Sequence, residues 1–134
     1  MSLGISRRAN PRGSGRFSYV EPEYGSALTF IWDDAGVDQD GRITLVEEES
    51  NGLVPLHIEG HLARLKLMLE KGESIRNVIW IIDELDFQAM FSLLRFYRKY
   101  LGPLPSMEIW SSKGVRLGAL EENETKRSER GPST

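Results

Sequence analysis

The chain has 134 residues, of which 40% are hydrophobic and 28% charged, and a formal net charge of −3. That is the composition of one ordinary globular domain. The absence of cysteine excludes a disulfide scaffold, a thiolate zinc site, an iron–sulfur cluster and a cysteine nucleophile. No apolar run approaches the ~20 residues of a membrane span, and no signal-peptide core follows the start, so the expectation is a soluble, cytoplasmic protein with no membrane partner.

The small net charge hides segregation. Residues 1–20 carry Arg7, Arg8, Arg12 and Arg16 and no acid, whereas residues 21–60 carry ten acids against Arg42 alone. Met1 to about Gly15 reads MSLGISRRANPRGSG, too poor in apolar residues for a core. Residues 1–16 are therefore expected to be a disordered basic arm. Residues 17–120 are expected to form a single α/β domain, and residues 121–134 a disordered polar tail.

Within the domain, Ala27–Trp32 (ALTFIW) reads as a strand and Asp33–Gly41 as a turn-rich loop. Ile43–Glu47 reads as a second strand, with Asp40-Gly41 as a hairpin-type turn signal. Pro55 suits the first turn of a helix. Ile58, Leu62, Leu65 and Leu69 fall on one helical stripe and Gly72 supplies a stop, which predicts a helix over 56–71. Val78–Ile82 (VIWII) is a continuous apolar run, the pattern of an interior strand covered on both faces. A second helix is expected over 87–101, with Phe87, Met90, Phe91, Leu94, Tyr97 and Leu101 on one face and Gly102-Pro103 as its stop. Met107–Trp110 reads as the last strand. The fold class is thus a small α/β sandwich of about four strands and two main helices, in the order β-β-α-β-α-β. Leu93, Phe96 and Tyr100 broaden the apolar arc of the second helix, and the reading assigns them to a homodimer interface.

Several constellations could carry chemistry. The arginines of the arm can each neutralise a phosphate and release a counterion. Phe17 and Tyr19 follow at once, where aromatic rings could stack on bases. Arg7, Arg8, Arg12, Arg16, Phe17 and Tyr19 are therefore the candidate nucleic-acid contacts. A second basic set, Arg95, Arg98 and Lys99 plus Lys113 and Arg116, could extend this track, but the helical three read mainly as charge complementing a helix end.

Gly36–Glu47 (GVDQDGRITLVE) resembles the calcium loop of an EF-hand: Asp38, Asp40, Gly41, Ile43 and Glu47 match its third, fifth, sixth, eighth and twelfth places. The first place holds Gly36 instead of an acid, so the favoured reading is an Asp-Gly turn between strands. Asp33 and Asp34 follow one strand, and Asp83 and Glu84 follow another. Strand-end carboxylates of this kind can hold Mg²⁺ for phosphoryl chemistry if they converge. VIWIIDE resembles the Walker B strand of nucleotide hydrolases, but no phosphate-cradling loop accompanies it. The favoured role for Asp83 and Asp86 is helix capping. His57 and His61, spaced i, i+4, read as two exposed helix histidines because no third ligand of zinc type completes a site.

The sequence thus favours a non-enzymatic accessory or structural protein that associates with nucleic acid, RNA in preference to DNA, as a homodimer. Compact bodies with basic arms recur among virus and phage core proteins, an analogy of shape alone. No cofactor, metal or catalytic residue is expected on this reading. One alternative is a Mg-dependent phosphoryl-transfer enzyme using Asp33, Asp34, Asp83 and Glu84. Another is a protein-interaction or inhibitor module whose acidic segment, with Glu47, Glu48 and Glu49, meets a basic partner.

Overall fold

A computed structural model of the chain describes residues 15–20, 23–49 and 51–122. Its elements run β1 (Gly15–Val20), β2 (Ala27–Trp32), β3 (Asp34–Val37), β4 (Ile43–Glu49), α1 (Pro55–Glu70), β5 (Ile75–Ile82), a single 3-10 turn (Glu84–Asp86), α2 (Phe87–Leu101), β6 (Ser106–Ser111) and β7 (Arg116–Leu120). The α/β class holds, but the described residues form seven strands in two sheets where the sequence suggested about four.

β1 and β2 form an antiparallel pair of their own. The other five strands form one sheet in the order β3-β4-β5-β6-β7. β3 and β7 are antiparallel edges, while β4, β5 and β6 are parallel. The expected βαβ unit of β5, α2 and β6 is present, and β4, α1 and β5 form a second. The Asp40-Gly41 turn does make a hairpin, with Gly41 at φ 79, but it joins β3 to β4. The sequence placed β3 in a loop because DAGV is short and carries a glycine.

The apolar pattern explains the layers. Ile43 and Leu45 of β4, Val78, Trp80 and Ile82 of β5, and Met107 and Ile109 of β6 are buried on one sheet face. Ile58, Leu62, Leu65 and Met68 of α1 and Met90 and Leu94 of α2 fill the same core. The intervening residues Val46, Ile79, Ile81 and Trp110 are only half-buried, so β5 is covered fully on one face and not on both. α1 closes at Gly72 (φ 95), where Gly72 N–H donates to Leu69 O and Glu73 N–H donates to Met68 O. This is the hydrogen-bond pattern of a glycine-terminated helix. Tyr97 Oη donates to Glu59 across the two helices at 3.0 Å.

Phe17 and Tyr19, expected to stack on bases, are 1% and 2% exposed and belong to the core. The parity of β1 turns them inward and leaves Arg16 outside, paired in register with Ile31. Gly15 and Arg16, expected in the arm, open this strand. Arg7, Arg8 and Arg12 lie outside the described residues, as does the tail beyond Glu122. On α2, Leu93 packs partly on the core, while Phe96 and Tyr100 are exposed, with ring centroids 4.8 Å apart. No helix among the described residues is long and apolar enough to cross a membrane.

The segment resembling a calcium loop is a clasp of another kind. Asp38 Oδ1 accepts the backbone N–H groups of Asp40 and Arg42, both at 2.9 Å. The Arg76 guanidinium donates to Asp38 Oδ2 and to Asp40 Oδ2. A cation is thus already provided for these two carboxylates. Glu47, the would-be twelfth ligand, lies four residues along β4 from Ile43, which is about 13 Å in a strand. Arg76 sits at an irregularity in the β4–β5 ladder, since Ile43 is opposite Ile75 and Thr44 is opposite Asn77.

The Arg42 N–H and the Arg76 side chain hold the Asp38 carboxyl below its ordinary value of 3.8. A carboxylate with a depressed folded value contributes stability above the unfolded value and loses it as pH falls through the folded one. The stability gap between the wild type and Asp38→Asn is therefore expected to stay constant above about pH 5 and to close as pH falls below 3.8. Urea denaturation of both proteins across that range measures it; a gap that does not move with pH would contradict the clasp.

Candidate functional site

β4 begins as a core strand and ends as something else. Its inward parity runs Ile43, Leu45, Glu47, Glu49, because alternate residues of a strand share a face. The apolar face therefore ends in two carboxylates at the carboxyl end of a parallel strand, the usual place for a site in an α/β sheet. Glu47 is 7% exposed. Its Oε2 lies 2.7 Å from His61 Nε2 on α1, and its Oε1 accepts the Asp33 backbone N–H at 3.2 Å. Asp33 returns the contact, since its Oδ2 accepts the Glu48 N–H at 2.6 Å. Glu49 Oε1 lies 3.5 Å from Nδ1 of His57, one helical turn before His61.

Glu47, Glu49 and His61 each offer a ligand atom, and these atoms all lie within 4.8 Å of one another. Beside them opens a cavity of about 470 Å³ lined by Asp33, Glu48, Glu49, Asn51, Gly52, Val54 and His57. Among the described residues no lysine or arginine lines it. Such a cavity favours cations, and two buried oxygen donors beside an imidazole suit a divalent metal ion.

The floor of the site is aromatic. The Trp32 ring lies 5.0 Å from the His61 ring, and Trp80 lies 6.3 Å from both. These contacts bring β2, α1 and β5 together under the carboxylates. The side chain of His61 is 11% exposed and that of His57 is 63% exposed. The expectation of two exposed histidines therefore holds only for His57; the carboxylate of β4 draws His61 inward.

Of the four strand-end acids whose convergence the phosphoryl-transfer alternative requires, only Asp33 reaches this place. Asp34 accepts the N–H of its neighbour Ala35. Asp83 accepts the Leu85 N–H, the capping role, and with Glu84 it lines a separate hollow of about 320 Å³ that also includes Lys113. The sequence reading placed Glu47 in a segment resembling a calcium loop and Glu47, Glu48 and Glu49 on an acidic surface, and did not join Glu47 and Glu49 to His61. The signal was available in their parity with Ile43 and Leu45.

No protein-family model matches the chain, and no curated protein or solved structure matches it either.

The stability of this corner is expected to depend on His61 far more than on His57. His61→Ala leaves a buried carboxylate without its closest donor, a loss of about 3 kcal/mol. His57→Ala removes an exposed partner, worth less than about 1 kcal/mol. Urea denaturation in metal-free buffer compares the two; equal losses would mean that the Glu47–His61 contact does not hold β4 to α1.

Proposed function

We propose that the chain is a divalent-cation-dependent phosphoryl-transfer enzyme that cleaves phosphodiester bonds of nucleic acid. The observation that carries this reading is the meeting of Glu47, Glu49 and His61 at the carboxyl end of β4, beside a cavity with an acidic wall. A phosphate is repelled from such a wall unless metal charge offsets it. A divalent cation held there would supply the positive charge that a phosphate oxygen needs and would activate water for attack. Glu47 and Glu49 would hold the cation, and Asp33 braces the strand end on which they stand. His57, exposed on the cavity wall beside Glu49, is placed to move a proton.

The basic arm supports nucleic acid as the substrate class. Arg7, Arg8 and Arg12 precede Gly15, and Gly15 is paired with Trp32, the residue before Asp33. Gly15, the first described residue after these arginines, is thus paired next to Asp33 of the acidic site. Polyanion binding by the arm needs no sequence reading. The second reading keeps the arm and drops the chemistry: a non-enzymatic RNA-associated protein, with the acidic corner purely structural.

One assay separates them. Full-length protein is incubated with labelled RNA, single-stranded DNA and duplex DNA, with Mg²⁺, Mn²⁺ or EDTA. Cleavage is expected with either ion and none with EDTA, and Glu47→Gln and Glu49→Gln each lose about a hundredfold or more in rate. Salt-sensitive retention with no cleavage would select the non-enzymatic reading. Cleavage undiminished in both variants would remove this site from the chemistry.

The homodimer belongs to the proposal as well, on the exposed Phe96–Tyr100 pair of α2. Sedimentation is expected to show a dimer that Phe96→Lys shifts toward monomer; an unshifted dimer would place the interface elsewhere.

A further inference from the structure

We infer that the cation of this centre is bound through oxygen alone, and that His61 is a positioning residue for Glu47 and not a metal ligand. The inference rests on the function proposed above and goes further by fixing the chemical class of the ion. A centre of this kind takes a hard dication such as Mg²⁺ or Mn²⁺, with carboxylate and water oxygens around it.

The argument turns on which nitrogen of His61 carries the proton. Nε2 lies 2.7 Å from Glu47 Oε2, so close that a proton must stand between the two atoms. For Nε2 to bind a metal instead, the neutral ring must carry its proton on Nδ1. Nδ1 is buried and has no hydrogen-bond partner. The rings packed against His61 are Trp32 and Trp80. Their indole nitrogens are the other two buried polar side-chain atoms without a partner among the described residues, and both are donors. A proton on Nδ1 would therefore have no protein acceptor among the described residues. Metal-bound histidines almost always give their second N–H to a carboxylate, carbonyl or water. No protein group among the described residues gives His61 that support, and the 2.7 Å approach to Glu47 favours the state with the proton on Nε2. In that state it fixes the rotamer of Glu47 and leaves both carboxylate oxygens with a lone pair for the ion, since Oε1 accepts only the Asp33 N–H and each oxygen has two acceptor sites.

The probe is Mn²⁺ on the full chain, read by electron spin-echo envelope modulation. His57→Gln is used so that the exposed imidazole cannot contribute. The expected spectrum has no modulation from a directly coordinated ¹⁴N, and added Mg²⁺ displaces the Mn²⁺. A coordinated ¹⁴N signal that disappears in the His57→Gln, His61→Gln double variant would overturn the inference while leaving the proposed function standing. Failure to bind Mn²⁺, or binding unchanged by Glu47→Gln and Glu49→Gln, would remove the metal centre and the inference with it. A rescue series adds a second readout. His61→Gln still places an N–H near Glu47 and is expected to keep Mn²⁺ affinity within about threefold, whereas His61→Leu loses about 10–100-fold. Equal losses in Gln and Leu would count against positioning and for ligation.

Discussion

The close contact between His61 and Glu47, 2.7 Å from Nε2 to Oε2, is the one on which the rest depends. It joins the end of the central parallel strands to the middle of α1, and the Trp32 and Trp80 rings beneath it tie in β2 and β5. A buried carboxylate is unfavourable unless it is hydrogen-bonded. Glu47 has the imidazole on one oxygen and a backbone N–H on the other. The polar groups are thus satisfied by elements that the hydrophobic effect had already brought together. The same contacts keep Glu47 buried beside His61 and leave Glu49 on the wall of the cavity.

The distribution of charge follows a related logic. Acids that look alike in the sequence end in different places. Asp38 and Asp40 are neutralised by Arg76 at one end of the sheet. Asp83 is spent on a turn. Glu108 accepts from Asn77 and from the Trp110 indole on the less covered face. Only at the carboxyl end of β4 do carboxylates gather with no arginine or lysine among the described lining residues. That corner is set apart as much by the absent guanidinium as by the acids present.

The sequence revealed much of the body and little of the site. Both helices, the apolar strand β5 and the βαβ order were visible because helical stripes and β-branched runs leave periodic signatures. The edge strands β3 and β7 were not, since DAGV and RLGAL each contain a glycine and bury little. β1 was overlooked because an aromatic after an arginine suggested a nucleic-acid contact, although the alternation of Phe17 and Tyr19 is that of a strand facing a core. The site hid for a different reason. Glu47, Glu49 and His61 lie on separate elements, and no local pattern states that the inward face of β4 will meet the second histidine of α1. Parity was legible; the meeting was tertiary.

The irregularity at Arg76 has a consequence for the far end of the sheet. Slipping a strand by one residue turns its whole side-chain set to the opposite surface. β4 is the strand on which that matters most, because its inward row changes from isoleucine and leucine to glutamate. At the hairpin end, Arg76 is the extra residue of the β5 ladder, and its side chain grips the turn that leads into β4. It acts as a registration pin: the exposed bracket at one rim fixes which residues of β4 count as odd and which as even, and so keeps the carboxylates at the other rim on the interior side.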